Sequence, residues 1–254
     1  MVSVSAVIIT YNEERNIRRC LESLAGLADE IVVIDSFSTD KTEDICKEFK
    51  VRFIKHSFAG HIEQKNFALS QASTDYVLSL DADEAVSPTL KASILNALGE
   101  PMKDGYSMNR LSNYCGKWIS HGSWYPDTKL RFFNRHKTSW KGTNPHDKAE
   151  LSDGSVSAHL AGDIYHYSYY SVHEHISKLD YFSTIAADAY FKAGRRTQFF
   201  NIIINPAFAF IRDYLFRGGF LDGYYGWLIA RLTAGYTFQK YVKLKFLQEK
   251  RLPE

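Results

Sequence analysis

Short apolar runs recur along the first hundred residues, and an amphipathic segment follows each of them. The runs are rich in β-branched residues, as buried strands are. In the first amphipathic segment Ile17, Leu21 and Leu24 repeat at helical spacing and define one apolar face. The strand–helix alternation predicts an α/β fold with a parallel, doubly wound sheet. The predicted strands are Val4–Tyr11, Glu30–Asp35, Val51–Ile54 and Tyr76–Leu80.

Capping residues mark where the predicted helices begin. Asn12 is the predicted N-cap of the first helix, and Asp40 or Thr39 that of the second, because short polar side chains accept hydrogen bonds from free helical N–H groups. Ser87 and Pro88 form an N-cap and first-turn pair that predicts the start of a further helix after the fourth strand.

Residues 105–165 lack this alternation. The segments Tyr106–Leu111 and Lys129–Asn134 predict two more strands, and Trp140–Asp147 predicts a polar loop. Between the two strands, the segment Gly116–Asp127 is rich in Trp, Tyr and Gly. Such a loop suits stacking of aromatic faces on a sugar ring, or it forms a packed aromatic corner, and the sequence leaves both open.

The pattern becomes helical from Val172, and Val172 and Ile176 belong to the predicted buried face of the first helix. Aromatic and basic residues concentrate in this part. From Lys192 onward eleven basic and four acidic residues give a net charge of +7, which leaves −5 for the rest. We therefore expect a domain over residues 1–170 and a helical region over 171–254. Two further helices are predicted over Pro206–Phe216 and Tyr224–Phe246.

The basic, aromatic tail has two interpretations. In a soluble helical bundle the cations would simply form the solvated face. Alternatively, the tail docks on an anionic membrane leaflet, with rings at the headgroup level and cations on lipid phosphates. The apolar stretch Phe199–Ile211 favours docking. Asn201, Asn205 and Pro206 interrupt that stretch, and it falls short of the ~20 residues that a transmembrane helix needs.

Composition narrows the functional class. Hydrophobic residues make up 45% and charged residues 24%, as in globular proteins, and the net charge of only +2 argues against a nucleic-acid binder. The scattered Cys20, Cys46 and Cys115 form neither a disulfide framework nor a zinc motif, which fits a reducing cytoplasm. A strand that begins almost at Met1 predicts that no signal peptide is present.

The fourth predicted strand ends abruptly in acidic residues. Asp81 and Asp83 project to the same side if the strand continues through them. Two carboxylates held together repel unless a cation lies between them, and Mg²⁺ or Mn²⁺ carrying nucleotide phosphates would supply that charge. An acidic turn that caps a helix is the alternative. No glycine-rich phosphate loop follows the first strand, which argues against a dinucleotide or P-loop site.

Four motifs in this order and spacing resemble family 2 glycosyltransferases, which have the GT-A fold. They are Val7–Glu13 (VIITYNE), Val33–Asp40 (VIDSFSTD), Gln64–Ala68 (QKNFA) and Leu80–Glu84 (LDADE). Later segments look like a narrower group, the bacterial transferases of lipopolysaccharide-core assembly of the inner-core β-glucosyltransferase kind. These segments are Trp124–Arg131, Asp163–His166 and Arg217–Gly223.

The resemblance implies roles for individual residues. Tyr11 would stack on the nucleotide base beside Thr10, and Lys65 would lie near the diphosphate. His166 would be a further metal ligand or a diphosphate contact. The implied donor-binding residues are Thr10, Tyr11, Glu13, Asp35, Lys65, Asp81, Ala82 and Asp83, and the implied metal ligands are Asp83, Asp81 and His166.

The same resemblance implies inversion at the anomeric carbon by direct displacement. Loss of a nucleoside diphosphate would be assisted by the metal, and the acceptor hydroxyl would need one carboxylate as general base. Asp147 is the first candidate, because it follows His146 where many relatives have a His-Glu pair. Asp127 is the second, and it could instead orient the acceptor or pair with Arg131.

We therefore expect a metal-dependent transferase that moves a hexose such as glucose from a UDP-sugar to a lipid-linked envelope glycan such as lipopolysaccharide core. It would act at the inner face of the bacterial cytoplasmic membrane. A sugar-nucleotide pyrophosphorylase would need a basic, glycine-rich loop after the first strand, which is missing. A non-catalytic adaptor with the same fold predicts a broken acidic motif, whereas Asp81 and Asp83 are both present.

Overall fold

A computed structural model of the chain describes residues 2–143 and 146–249, which form two units. The first unit runs to Leu111 and resumes over Asp127–Tyr167. The second comprises Ser112–Pro126 and the chain from Ser168 onward. Each unit buries apolar side chains of its own.

The strands and helices are numbered in chain order. The strands are β1 Val4–Thr10, β2 Glu30–Asp35, β3 Arg52–Lys55, β4 Tyr76–Asp81, β5 Glu84–Val86, β6 Gly105–Tyr114, β7 Lys117–Ile119, β8 Asp127–Asn134, β9 Thr138–Thr143, β10 His146–Leu151 and β11 Ser157–Tyr169. The helices are α1 Ile17–Ser23, α2 Thr42–Lys47, α3 His61–Gln71, α4 Pro88–Leu98, α5 Val172–Lys192, α6 Phe199–Ile211 and α7 Gly223–Glu249.

The main sheet has the order β3-β2-β1-β4-β8-β6-β11-β5, with β7 paired to β6. Its first four strands are parallel, as the alternation predicts. The pairings β4–β8, β6–β8 and β5–β11 are antiparallel. The sheet is therefore mixed. One half is parallel, as in nucleotide-binding folds, and the other half is antiparallel.

Adjacent residues of β1 supply the two faces of the sheet. Ile8 packs in the cluster that contains Ile17 of α1 and Leu90 of α4. Val7 packs in the opposite cluster with Ala68 of α3. Because successive strand side chains point to opposite faces, helices cover the parallel half on both sides.

Two capping predictions have different outcomes. Ser87 Oγ accepts a hydrogen bond from Leu90 N at 3.2 Å, with Pro88 in the first turn, so the start of α4 is confirmed. The prediction for Asn12 is wrong, since α1 begins only at Ile17. Asn12 has a positive φ of 54°, which takes its backbone out of any helix.

Two segments have more regular secondary structure than the sequence predicts. The prediction of a polar loop over Trp140–Asp147 is wrong, because β9 and β10 form an antiparallel hairpin there; residues 144 and 145 lie outside the described residues. The predicted start of a helix at Pro206 is also wrong. Helix α6 begins at Phe199, where Gln198 and Asn201 form a reciprocal capping box, and Pro206 lies inside the helix.

The buried face of α5 differs from the predicted one. Val172 and Ile176 are exposed, whereas His175, Ser183 and Ala187 are buried. Both buried polar residues have partners: His175 Nδ1 lies 3.1 Å from Tyr114 Oη, and Ser183 Oγ donates to Gln239 Oε1. Hydrogen bonds offset the free-energy cost of burying these two polar side chains. The hydrophobic pattern of the sequence alone cannot predict such burial.

An aromatic cluster forms the core of the second unit at one end of α5. The ring of Trp124 lies 5.6 Å from Tyr114, 5.7 Å from Tyr169 and 5.5 Å from His175, measured between centroids. These edge-on and tilted contacts are favourable arrangements for aromatic rings. For Trp124, the structure therefore shows the packed corner rather than a freely presented sugar platform.

Within the described residues, no helix is both long enough and apolar enough to cross a bilayer.

The buried His175 predicts a pH-dependent stability. Burial, with the nearby charge of Lys178, lowers the pKa of His175 from 6.5 to about 4. Because folding lowers this pKa, the neutral ring stabilises the protein above pH 6.5, and that contribution is lost as pH falls through 4. Between these values the free energy of unfolding should fall by up to about 3 kcal/mol more for the wild type than for His175→Phe.

Denaturant titrations from pH 7 to pH 4, followed by tryptophan fluorescence, measure this difference. His173→Phe is the matched control, since His173 is an exposed residue in the first turn of the same helix. Identical pH profiles for the wild type and His175→Phe would contradict the assignment.

Candidate active site

The carboxyl ends of three adjacent parallel strands bring together residues that are far apart in the sequence. Thr10 lies opposite Asp35 in the register of β1 and β2, and Ile9 lies opposite Asp81 in that of β1 and β4. Ligands bind at this edge in open α/β sheets. The structure therefore places Thr10, Asp35 and Asp81 at one edge, as the motif positions predict.

The loops after β1 and β2 are fastened to each other. Asp35 is fully buried, and its carboxylate accepts hydrogen bonds from Ser38 N at 2.9 Å and Ser38 Oγ at 2.5 Å. Asn12 N donates to Ser38 Oγ, and Asn12 Oδ1 accepts from Thr39 N, both at 2.8 Å. The side chain predicted to cap α1 thus joins two loops instead.

These fastened loops expose two aromatic rings and hold Glu13. Tyr11 is 59% exposed and Phe37 is 53% exposed, although neighbouring residues are tightly bonded. Phe37 has a φ of 63°, and sequence reasoning missed it; the signal was an aromatic residue within an otherwise polar turn. Glu13 N donates to Thr42 Oγ1, and Glu13 Oε2 accepts from Asn16 Nδ2.

The expectation that Asp81 and Asp83 share one face of a continued strand is wrong. Strand β4 ends at Asp81, a turn contains Ala82 and Asp83, and β5 starts at Glu84. Ala82, which is buried, donates its N–H to Ile9 O at 3.2 Å. The turn ends the alternation that would have aligned the two carboxylates.

The two carboxylates have different neighbours. Asp81 contacts Lys65 and Arg131, whereas Asp83 Oδ2 lies 3.2 Å from His166 Nε2. The backbone fixes this second pair, because Tyr167 N donates to Asp83 O at 2.9 Å. In the structure, therefore, His166 contacts Asp83, whereas Asp81 forms ion pairs with the basic side chains Lys65 and Arg131.

Acidic and basic side chains alternate in a continuous series through the first unit, which we call the ion-pair chain. Its members come from α3 and from strands β4, β5, β6, β8 and β10. In order, the contacts are Asp147–Lys65 at 2.8 Å, Lys65–Asp81 at 3.0 Å, Asp81–Arg131 at 3.1 Å, Arg131–Glu84 at 2.9 Å, Glu84–Arg110 at 3.2 Å, Arg110–Asp127 at 2.8 Å and Asp127–Lys129 at 2.9 Å.

Burial and charge oppose each other at the centre of the ion-pair chain. Burial by itself would raise the pKa of Asp81, but the charges and hydrogen bonds of Lys65 and Arg131 hold it well below its ordinary value. Burial likewise would lower the pKa of Arg131, and the charges of Glu84 and Asp81 raise it. Asp81 and Arg131 therefore remain charged near neutral pH.

Both candidate bases belong to the ion-pair chain. Asp147 lies on β10 and accepts a hydrogen bond from Lys65 Nζ, and its side chain is 12% exposed. The side chain of His146 lies outside the described part of the structure. Asp127 pairs with Arg110 and Lys129 rather than with Arg131, so the alternative pairing considered for Asp127 is wrong.

Sequence reasoning missed the residues that hold Lys65 and the β9–β10 hairpin in place. Asn66 Oδ1 accepts from Trp140 N and Asn66 Nδ2 donates to Trp140 O, each at 2.9 Å. Lys65 Nζ lies 4.5 Å from the centre of the Trp140 indole. For Arg131 a signal was available, because it is a charged residue in an apolar strand between Leu130 and Phe132.

Only some of the predicted residues are placed to bind a divalent cation and a nucleotide. Within the described ranges, no three or more His, Cys, Asp or Glu side chains are grouped as a complete metal site. Asp83 and His166 provide one oxygen and one nitrogen donor in contact, and Mg²⁺ ordinarily takes few protein ligands beside phosphates and water. Thr10 Oγ1 is buried without a hydrogen-bond partner in the described chain, which fits a ligand contact at this edge.

Comparison with known proteins covers nearly the whole chain. It is 29% identical over 253 residues to the lipopolysaccharide core biosynthesis glycosyltransferase LpsC of Rhizobium meliloti, covering 94% of this chain and 93% of LpsC. It is also 29% identical over 261 residues to an uncharacterized glycosyltransferase of Rickettsia typhi, covering 98% of this chain and 89% of that protein.

Two solved structures are similar in part. TarS of Staphylococcus aureus covers 98% of this chain and 55% of its own, with a TM-score of 0.49 and 15% identity. Glucosyl-3-phosphoglycerate synthase from Mycobacterium tuberculosis, in complex with Mn²⁺, uridine diphosphate and glucosyl-3-phosphoglycerate, covers 44% of each chain, with a TM-score of 0.37 and 24% identity.

The family assignment rests on a family model rather than on these structures. The model described as "Glycosyl transferase family 2" matches residues 5–151, which contain β1 to β10 and the whole ion-pair chain. The predicted α/β fold of the GT-A type is confirmed, with helices following the sheet. The chain belongs to glycosyl transferase family 2, and it is a glycosyltransferase.

Proposed function

We propose that this glycosyltransferase inverts the anomeric carbon of a hexose, such as glucose, as it moves the sugar from UDP to lipopolysaccharide core or another lipid-linked envelope glycan. The observation that carries the proposal is the convergence of Thr10, Asp35 and Asp81 at one sheet edge. The similarity to LpsC over nearly the full length supports the acceptor class. In this proposal residues 1–170 carry the chemistry and 171–254 form a docking region.

The donor nucleotide would bind at the fastened loops after β1 and β2. Exposed Tyr11 stacks on the base, and Phe37 offers a second ring on the adjoining loop. Thr10 uses its unpartnered hydroxyl for the nucleotide, while Glu13 and Asp35 contact the base or ribose. Asp81 and Ala82, at the end of β4, lie along the ribose, and Lys65 faces the diphosphate side.

Asp83 and His166 would hold the divalent cation, Mg²⁺ or Mn²⁺, with Asp81 close by at the end of the preceding strand β4. When bound, the cation supplies positive charge for the diphosphate as the bond from sugar to phosphate breaks. The protein's contribution is orientation, because the bond from Tyr167 N to Asp83 O fixes the turn that carries Asp83.

Asp147 is the better general base of the two candidates. The charges of Arg110 and Lys129 lower the pKa of Asp127, although its burial acts in the opposite direction, and a less basic carboxylate removes protons less effectively. Among the described residues Asp147 has one ion-pair partner, Lys65, which orients it. In the proposed step Asp147 takes the proton of the acceptor hydroxyl, the hydroxyl oxygen bonds to the anomeric carbon, and the nucleoside diphosphate leaves with the bonding electrons.

Helix α6 would dock the protein on the anionic inner face of the bacterial cytoplasmic membrane. Its residues Phe200, Ile204 and Phe208 are exposed at a spacing of four, and the helix contains no charged residue. Arg195 and Arg196, both exposed, precede it. An apolar helix face with flanking cations is typical of helices that lie in a membrane interface.

Replacement of the proposed base tests the chemistry. Asp147→Asn keeps an oxygen acceptor for Lys65 but cannot take a proton, so kcat for transfer from UDP-glucose to a truncated lipopolysaccharide core should fall roughly 10²–10⁴-fold. UDP affinity, measured by calorimetry, should stay within a few-fold. Asp127→Asn is the matched control and should retain most of kcat.

A larger loss of kcat in Asp127→Asn than in Asp147→Asn would reverse the assignment. UDP binding by the wild type without transfer to any of a panel of core acceptors would favour the non-catalytic alternative.

Replacement of the proposed metal ligands tests cation binding apart from catalysis. In Asp83→Asn and His166→Ala, addition of Mn²⁺ should no longer tighten UDP binding in a calorimetric titration, because each variant lacks one donor atom. His159→Ala is the matched control, since His159 is an exposed residue on the same strand β11. Undiminished Mn²⁺ dependence in both ligand variants would place the cation elsewhere.

Membrane docking predicts that charge on the exposed face of α6 releases the protein from lipid. Phe200→Asp combined with Phe208→Asp should lower co-flotation with phosphatidylglycerol vesicles at least about tenfold, because two apolar side chains lose their burial in lipid. Phe58→Asp combined with Leu95→Asp is the matched control, as both residues are exposed apolar residues of the first unit. Equal flotation of both double variants would exclude α6 as the docking face.

A further inference from the structure

An apolar groove lies between α6 and α7 within the second unit. Its volume of about 540 Å³ is in the range of small-ligand sites. The apolar residues that line it are Ile202, Ile203, Pro206, Ala234, Gly235 and Phe238.

A missing side chain helps to open this groove. A Cβ atom built on Gly235 would meet no heavy atom within 4 Å, so the space beside this glycine is free. Pro206 lines the groove from α6. The two residues leave room between helices that are otherwise packed along their length.

Arg231 places a cation at one end of the groove. Arg231, Gly235 and Phe238 lie on one face of α7, so Arg231 is about 10 Å along the helix axis from Phe238. Arg231 is exposed, and its side chain makes no hydrogen bond or ion pair within the described residues. Gln239, the other polar lining residue, already accepts a hydrogen bond from Ser183 Oγ.

An unpaired cation at one end of an apolar groove is complementary to an amphiphile with an anionic head. The groove is also continuous with the proposed docking face, because Ile203 lines the groove and is 53% exposed on α6. An acyl chain of a lipid in the docked leaflet would therefore reach the groove at Ile203, which neighbours Ile204 of the docking face.

We propose that this groove binds one acyl chain of an anionic phospholipid, with the lipid phosphate on Arg231. The proposal rests on the docking of α6 proposed above, and it adds a specific lipid site to a general surface attraction. It also gives a reason for a glycine within α7, where glycine is otherwise unfavourable.

The test measures binding of dioctanoyl phosphatidylglycerol and dioctanoyl phosphatidylcholine to the full-length protein, both below their critical micelle concentrations. The wild type should bind the anionic lipid about fivefold more tightly, because Arg231 attracts its net negative charge, whereas the choline cation of phosphatidylcholine offsets the charge of that lipid's phosphate. Arg231→Gln should abolish that preference. Gly235→Leu should abolish binding of both lipids, because its side chain fills the groove while favouring the helix.

Matched controls separate these effects from general changes in charge or bulk. Lys117→Gln removes an exposed cation of the same unit, and Ala189→Leu adds bulk to an exposed position of α5. Both should bind the two lipids like the wild type. Circular dichroism melts of Gly235→Leu confirm that it folds.

Three results would overturn the proposal. One is unchanged lipid binding by Gly235→Leu. Another is equal or tighter binding of octanoate, which would identify a free fatty acid. The third is a wild-type dimer in light scattering that Gly235→Leu dissociates, which would identify a second copy of the chain. Vesicle flotation reports separately on docking by α6, so monomeric-lipid binding and docking can fail independently.

Discussion

The alternation of buried charges in the ion-pair chain is the constraint on which the candidate site depends. Arg131 and Glu84 are almost completely buried and form an ion pair, and Arg131 keeps its charge because the neighbouring carboxylates of Glu84 and Asp81 raise its pKa. Loss of one partner from such a pair costs about 3–5 kcal/mol, since the other charge is left uncompensated. Because the members come from α3 and five strands, the same contacts that neutralise the charges also fix the positions of these elements.

This constraint also divides the carboxylates by chemistry. Asp81 and Asp127 have two cationic neighbours each, which makes them poor proton acceptors. Asp83 lies outside the ion-pair chain, because a turn follows β4 and directs it to His166 instead. The two aspartates of one acidic motif thus have different roles. Asp81 balances the charge of buried cations, and Asp83 makes a contact with His166 that suits a bound cation.

The sequence predicts the parallel half of the sheet well, because β1, β2 and β4 are apolar runs that are mostly buried, and short helical segments separate them. The sequence does not predict the structure correctly where contacts with residues distant in the chain determine it. Asn12 has the chemistry of a helix cap, yet its side chain joins the loop at Thr39. Strands β9 and β10 contain too few apolar residues to stand out, and their hairpin is held by Asn66, which is distant in the chain. The motifs located Asp81 and Lys65, but only tertiary contacts show that Lys65 joins Asp81 to Asp147.

In the second unit, some polar residues are buried and some apolar residues are exposed, contrary to what the sequence pattern predicts. In α5, the polar His175 and Ser183 lie inside because hydrogen bonds satisfy them, whereas Val172 and Ile176 face outward. In α6 an uncharged helix likewise turns Phe200, Ile204 and Phe208 outward. Scattered apolar residues on a surface need no explanation, but a continuous apolar helix face is costly in water. Periodicity therefore predicts that such a face will be covered, and the flanking arginines are the reason for proposing lipid as the covering medium.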